Sequence, residues 1–482
     1  MAWGQLPQLS KKTNRIVTCT RPIPRSAAAC IEPLEPRQLC SATTLGHSDS
    51  THQTRDISSL VAAAKRARRP RRITVPANVN ISRMSDNQSE GTIAVNPNNP
   101  QQLFAASNME TDGLFTAVST NGGNTWSRQV IADGSDGLPT ACCDPSAAFD
   151  GFGNLYLSYI DRTTTNVRVL MSSDGGFSFT PGATFHGSVD QPTITAADSM
   201  VWITFQNAGR IAASGAPVYG SGDLGSFSPL QTVPNSFGGN FGDIAIGPNG
   251  QVMVTYLTPS TTRGPSSVFT SVDPDGFGSQ GFNQPVLAAR TNVGGFRAIP
   301  PQSTGTIDAE PGLAYDRSGR TANGRVYLAY TDASSADTNN TYLAVRFSNN
   351  NGTSWSNPIR VNDSRTANTQ FLPRIALDQS TGNVGLTWYD TRGVSASSAR
   401  LYGAIGRPTS TGISFASNFQ ISRGTSNANA ANNGIDYGDY VGLAFGGGAL
   451  HPIWSDNSNS TRNNPDGTLN TFDQYTASIR VA

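Results

Sequence analysis

The chain has 482 residues and a mass of 50.8 kDa, with 34 Lys+Arg against 33 Asp+Glu and 49 glycines. Only 14% of it is charged, which excludes a helical bundle or coiled coil and fits one large all-β domain. The near-neutral total hides a split: residues 1–83 carry 3 Lys and 11 Arg against 4 acids, whereas residues 84–482 carry 20 Arg, no Lys and 29 acids. An acidic body lacks the basic stripe that displaces counterions from nucleic acid, so no nucleic-acid partner is expected. No apolar run reaches the roughly 18 residues of a transmembrane helix.

Residues 1–71 read as a leader and linker. Asp56–Ala67 has the pattern of a short amphipathic helix capped by Asp56, and the basic run Lys65–Arg72 belongs to the leader rather than to a polyanion site. The segment EPLEPRQLCSA (32–42) resembles the Leu-Glu-Pro-Arg element near the N-terminus of many presumed exported proteins of planctomycete-type bacteria, with Cys40 replacing its second Leu. The resemblance implies an extracellular or envelope location. Composition alone does not, because the best hydrophobic leader segment, Ser26–Ile31, is short.

From Ser89 onward the chain repeats itself. Seven openings recur: EGTIAV (90–95), DPSAAF (144–149), QPTITA (191–196), FGDIAI (241–246), EPGLAY (310–315), LPRIAL (372–377) and YVGLAF (440–445). A large residue at the fourth place and a small one at the fifth describe a strand packed on both faces at unequal depth. A second apolar strand follows each of the later openings, from LYLSY (155–159) to LHPIW (450–454). With no helices to cover them, such strands satisfy a seven-bladed β-propeller of four-stranded antiparallel blades over residues 72–482. The last unit lacks a fourth strand. Arg72–Pro76 is expected to supply it, closing the ring from the N-terminal side, with Pro76 tolerated on an outer edge.

Four segments share the form Ser-x-Asp-x-Gly-x-Thr-Trp: Ser119–Trp126, Ser172–Phe179, Ser348–Trp355 and the shorter Ser221–Phe227. Asn121, Asp174 and Asn350 are expected to satisfy nearby backbone, while Trp126, Phe179 and Trp355 plug the blade. These boxes resemble the Asp-box (BNR-repeat) propellers of the sialidase superfamily. That resemblance implies a carbohydrate-directed protein, and for its catalytic members an arginine triad that grips a substrate carboxylate. The Phe-Arg-Ile-Pro motif that begins the triad has no counterpart ahead of the first unit. The nearest string, Phe296–Pro300, has an extra residue and lies between the fourth and fifth units.

Strand direction places chemistry on the mouth where inner strands begin and second strands end. Glu90, Asp144, Asp190, Asp243, Glu310, Arg374 and Asp439 fall near the first of these, and Asp161, Arg162, Asp332, Asp390, Arg392 and Asp456 follow the second. Carboxylates gathered there would raise one another's pKa, and arginines could grip a carboxylate or a planar polar group. The catalytic candidates are Glu310, Arg374, Asp390, Arg392 and Asp439, and the ligand-binding candidates Asp144, Arg162, Asp190, Trp388 and Tyr437. A sialidase would require Arg162, Arg297, Arg374 and Arg392 to converge.

Cys142 and Cys143 stand next to Asp144 and, given export, would form a vicinal disulfide strained by the short Cα separation. No cofactor is expected. His186 and His451 stand alone, so no zinc site is implied, and no acidic loop has the ligand spacing of an EF-hand calcium site. The expected function is binding of a glycan or an envelope protein by a monomeric propeller. An exo-sialidase-like glycoside hydrolase is the alternative, and a lyase or other hydrolase on the same scaffold a third.

Overall fold

The computed structural model describes residues 73–364, 366–431 and 436–481. The helix expected at 56–67, the element at 32–42 and the basic run ending at Arg72 lie outside them. Among the described residues, no helix is long and apolar enough to cross a membrane.

Seven antiparallel sheets follow one another along the chain and form the blades of a propeller. Their inner strands are Gln88–Val95, Ala141–Phe149, Val189–Ala197, Asn240–Ile246, Gly312–Tyr315, Gln370–Leu377 and Gly442–Gly446, here blades I to VII. The fourth and fifth places of the repeat are buried as expected: Ile93 and Ala94 in blade I, Ile244 and Ala245 in blade IV. Second strands are covered on both faces, and every residue of Leu155–Asp161 and Val384–Asp390 is buried. Each core cluster joins neighbouring blades; Trp388 of blade VI packs with Tyr327 and Leu343 of blade V. Removing a ring of this size from such a seam costs about 3–5 kcal/mol.

Closure differs in detail from the expected one. The N-terminal strand that completes blade VII is Val79–Asn80, paired with Thr476 and Tyr475, and the Ile81 N–H continues the ladder to Gln474 O at 2.8 Å. The stretch before it instead runs beside blade VI: Ile73 and Val75 pack on the VI–VII core, and Asn78 Nδ2 donates to Ile421 O. Pro76 has no N–H to give a ladder, so pairing begins only after it.

In blades I to IV the third residue of the opening stitches each inner strand to the next. Thr92 Oγ1 accepts the Ala147 N–H at 3.1 Å, Ser146 Oγ accepts Ile194 N–H at 3.1 Å, and Thr193 Oγ1 donates to Gly242 O at 3.0 Å. Asp243 Oδ2 takes the Leu313 N–H at 2.8 Å. Blades V and VII have Gly312 and Gly442 at this place.

An extra hairpin, Arg297–Ile299 with Gln302–Ile307, leaves the IV–V connection. Its Ile299 and Ile307 join Phe371 and Leu372 of blade VI in one core cluster. Gln302 Nε2 donates to Gly438 O, and the Thr304 and Gly305 N–H groups to Asp436 Oδ2 at 2.7 and 2.9 Å. The hairpin thus ties the IV–V connection to the VI–VII connection at the mouth.

Candidate functional site

Five of the seven inner strands, those of blades I, II, III, IV and VI, enter the channel through a bulge. Glu90, Asp144, Gln191, Glu310 and Leu372 have φ between 43° and 59°, and the ladder slips at Ser89/Thr92, Cys143/Ser146, Asp190/Thr193 and Phe371/Arg374. A left-handed non-glycine residue costs on the order of 1–3 kcal/mol. Its recurrence at one place of the repeat marks a built feature that re-aims side chains toward the mouth. Four of the five precede a proline, which brings no N–H to the broken ladder.

The bulges gather carboxyl groups from several blades. Glu90 accepts the Asp439 N–H at 3.0 Å and a bond from Asn108 Nδ2, whose Oδ1 takes the Asp144 N–H at 3.0 Å. Asp144 Oδ2 reaches the Gln191 N–H at 3.3 Å, and Asp308 accepts the Glu310 N–H. Burial, then Asp144 and Asp439, hold the Glu90 carboxyl well above its usual range. Burial, then Asp190 and Asp439, raise Asp144 to about 7, and burial followed by Asp190 raises Asp439 to about 6. Burial, then Asp308, does the same to Glu310, only partly opposed by Arg374. Burial also raises Asp190 and Asp308. Tyr440 lies among Asp144, Glu90, Asp439 and Glu310, so burial and these acids push its phenol far up. Its OH donates to Pro145 O at 3.4 Å.

A cleft of about 90 Å³ opens beside these groups, lined by Thr92, Ser146, Gln191, Arg374 and Tyr440 together with Ile93, Ile194 and Leu443, and of the raised carboxyls Glu310 stands on its wall. Its size suits a few water-sized polar groups. Arg374 faces it with Asp243 at 3.8 Å. Cys142 and Cys143, immediately before Asp144 in the doubly bulged strand, are joined in a vicinal disulfide with Cα atoms 3.8 Å apart.

The candidates at the ends of second strands behave differently. Asp390 is fully buried and holds Trp388 Nε1 at 3.1 Å, Gln370 Nε2 at 3.1 Å and Arg392 Nε at 2.7 Å. Arg392 also bonds Asp363 and lies over the Tyr402 ring. Asp456 repeats the lock in blade VII, taking Trp454 Nε1 at 3.0 Å. Asp161 holds Arg168, and Asp332 holds Tyr342 OH and the Asn292 N–H. Trp388 and Tyr437, expected as ligand platforms, are 0% exposed; Tyr437 packs on Phe371, Tyr389 and Phe472. Asp390, Trp388 and Tyr437 are therefore buried as braces of the blades, and Arg392, 18% exposed, is held between Asp390 and Asp363.

Nor do the arginines converge. Arg162 is exposed and pairs with Asp112, while Arg297 is buried against Asn292 O. Arg374 meets Asp243, and Arg392 meets Asp390 and Asp363. Four guanidiniums have four separate settings. Asp308 escaped sequence reasoning, although it stands two residues before Glu310. Among the described residues, no group of three or more His, Cys, Asp or Glu side chains is arranged to hold a metal ion.

The box turns lie at the other end of the molecule, between third and outer strands. Ser119, Ser172 and Ser348 each accept a glycine N–H at 2.8–2.9 Å, from Gly123, Gly176 and Gly352. Asn121, Asp174 and Asn350 accept the Thr125, Ser178 and Ser354 N–H groups at 2.9–3.0 Å. At the shorter fourth segment, the Gly222 N–H turns to Asn154 Oδ1 of blade II.

No family model matches the chain, and no curated protein matches it. Solved structures do. A protein of unknown function from Dyadobacter fermentans DSM 18053 is similar at 11% identity over 85% of this chain and 99% of its own, with a TM-score of 0.48. The polysaccharide lyase Uly1 is similar at 7% identity over 85% and 100%, with a TM-score of 0.48. The endosialidase of phage phi92 is similar at 11% identity over 84% and 69%, with a TM-score of 0.45.

Proposed function

We propose that this chain is an extracellular or envelope propeller that binds the uncharged, hydroxyl-rich end of a glycan at the mouth of its channel. The observation that carries this reading is the gathering of Glu90, Asp144, Glu310 and Asp439 round Tyr440, with Arg374 as the guanidinium on the cleft wall. Carboxyl groups that hold protons near neutral pH both donate and accept, as sugar hydroxyls require. Asp439, raised only to about 6 and so mostly ionised at neutral pH, repels an anionic sugar. A sialic acid carboxylate would meet Arg374 already facing Asp243, with no second guanidinium beside it. The location rests on the Leu-Glu-Pro-Arg resemblance of the leader.

Glycoside cleavage on this mouth is a second reading, favoured by Asp144. A carboxyl raised to about 7 is still partly protonated at neutral pH and suits a general acid. Titration calorimetry of the wild type with neutral and sialylated oligosaccharides tests the first reading. Neutral glycans should bind, and Glu310→Gln and Tyr440→Phe should each weaken them up to about tenfold, the loss of one buried neutral hydrogen bond of about 0.5–1.5 kcal/mol. Preference for sialylated glycans, or affinity unchanged in both variants, overturns it. Release of reducing ends that disappears in Asp144→Asn would establish the second.

A further inference from the structure

We propose that the opposite end of the channel is a second binding site, for a small molecule with an anionic head and an apolar body. The inner strands finish there on large apolar side chains. Val95, Phe149, Leu377 and Phe445 line a cavity of about 500 Å³ that opens to solvent beyond the inner turns. These residues lie three places after the mouth-facing Thr92, Ser146, Arg374 and Gly442, roughly 10 Å along a strand. The two sites are therefore distinct.

Arg317 is the only cation among the residues that line this cavity. Its backbone is fixed in the blade V turn, where its N–H donates to Gln379 Oε1 at 2.8 Å and Gln379 Nε2 donates to Tyr315 O at 2.9 Å. Burial lowers its pKa, and Asp198 restores part of the loss. The guanidinium meets Asp198 Oδ2 at 3.3 Å through one nitrogen, and the Asp198 side chain is 79% exposed. An exposed single-contact pair contributes little, so an incoming anion displaces it cheaply.

The other acids at this end cannot compete. Asp150 is taken by the Phe152 and Asn154 N–H groups and by Tyr156 OH. Asp378 is taken by Ser380, Thr381 and the Gly448 N–H. What remains is a planar cation over an apolar collar. A carboxylate or phosphate head matches the guanidinium fork, and an aryl or alkyl body fills the collar.

The test titrates the full chain with 4-phenylbutyrate and phenyl phosphate, with 4-phenylbutanol as the neutral control, by calorimetry. Saturable binding of at least one anion is expected, about tenfold stronger than the alcohol, the worth of one charge-assisted contact. Arg317→Gln should remove that margin. Asp198→Asn, a change at an exposed position, should tighten binding a few-fold, by roughly the weight of a surface ion pair. Glu310→Gln at the mouth should leave it unchanged, so failure here is separable from failure of the glycan reading. No saturable binding by the wild type, equal binding of the alcohol, or equal affinity in Arg317→Gln overturns the proposal. If Arg317→Gln does not fold, the absence of tightening in Asp198→Asn overturns it instead.

Discussion

Two identical substitutions at the same place of the repeat should have unequal effects. At Gly442, where blade VII meets blade I, an added Cβ would stand 2.5 Å from Ile453 Cγ2, 2.7 Å from Gly91 O and 3.0 Å from Ile93 N. Two of those atoms are backbone and yield only if a whole inner strand moves. At Gly312 in blade V, the added Cβ would meet Ile375 Cγ2 at 3.2 Å and Asp243 Oδ2 at 3.5 Å, both side-chain atoms that can shift by tenths of an ångström. Neither glycine has a positive φ, so both gain the same unfolded-chain term of about 0.4–1 kcal/mol from Ala. Overpacking costs about 1–3 kcal/mol. Gly442→Ala belongs at the top of that range, whereas Gly312→Ala should come out near zero. With an unfolding entropy of about 2.1 cal/mol/K per residue over roughly 400 residues, a gap of about 2.5 kcal/mol corresponds to about 3 °C. Scanning calorimetry of the two variants beside the wild type measures it. Equal melting temperatures, or the lower one in Gly312→Ala, would refute the steric argument for closure at blade VII.

The mouth acids make stability fall as pH rises. Their folded pKa values lie above the unfolded ones, so their contribution is full below about pH 4 and is lost as pH climbs through about 6 for Asp439 and about 7 for Asp144. Asp144→Asn should flatten that decline, by at most about 4 kcal/mol between pH 4 and 8, and urea titrations at both pH values check it. Ser172→Ala removes the acceptor of the Gly176 N–H and a donor to Asp174, which should cost about 1–3 kcal/mol in the same assay while leaving ligand binding at the mouth intact. A chain beginning at Arg83 lacks the strand paired with Tyr475 and Thr476 and should melt below one beginning at Ile73; equal melting would dismiss that strand as the closing element. Unreduced digests should yield the Cys142–Cys143 peptide lighter by two hydrogens, and complete alkylation of both thiols before reduction would show the bond absent.

The blades were legible because burial on both faces forces the same large–small alternation seven times, as Ile93–Ala94 and Ile375–Ala376 illustrate. An Ile-Thr-Val run looks like a strand wherever it occurs, so the sequence points to a closing strand several residues before the one that pairs. Only the partners decide, and those of Asn78 lie in blade VI. Aromatic-x-Asp at second-strand ends looked the same whether it faced a ligand or locked a turn. Trp388 Nε1 on Asp390, repeated by Trp454 on Asp456, shows the lock. The mouth acids were recognisable by position, but Asp190 and Asp439 sit one residue before the first place of the repeat and Asp243 two after it. A left-handed bulge has no letter of its own in the sequence.

The stitches around the channel act as a hoop, passing load circumferentially from blade I through to blade V. Blade VII also has no side chain to offer, at Gly442, and past Leu313 the hoop has a gap before blade VI, because Gly312 has none. Only Asp243 reaches over it, toward Arg374. A ligand seated between Glu310 of the IV–V connection and Arg374 of blade VI would lie across that gap, as a clasp does on a bracelet. Occupancy of the mouth and stiffness of the ring are then one property, and the slowest amide exchange should move toward blades V and VI when the mouth is filled.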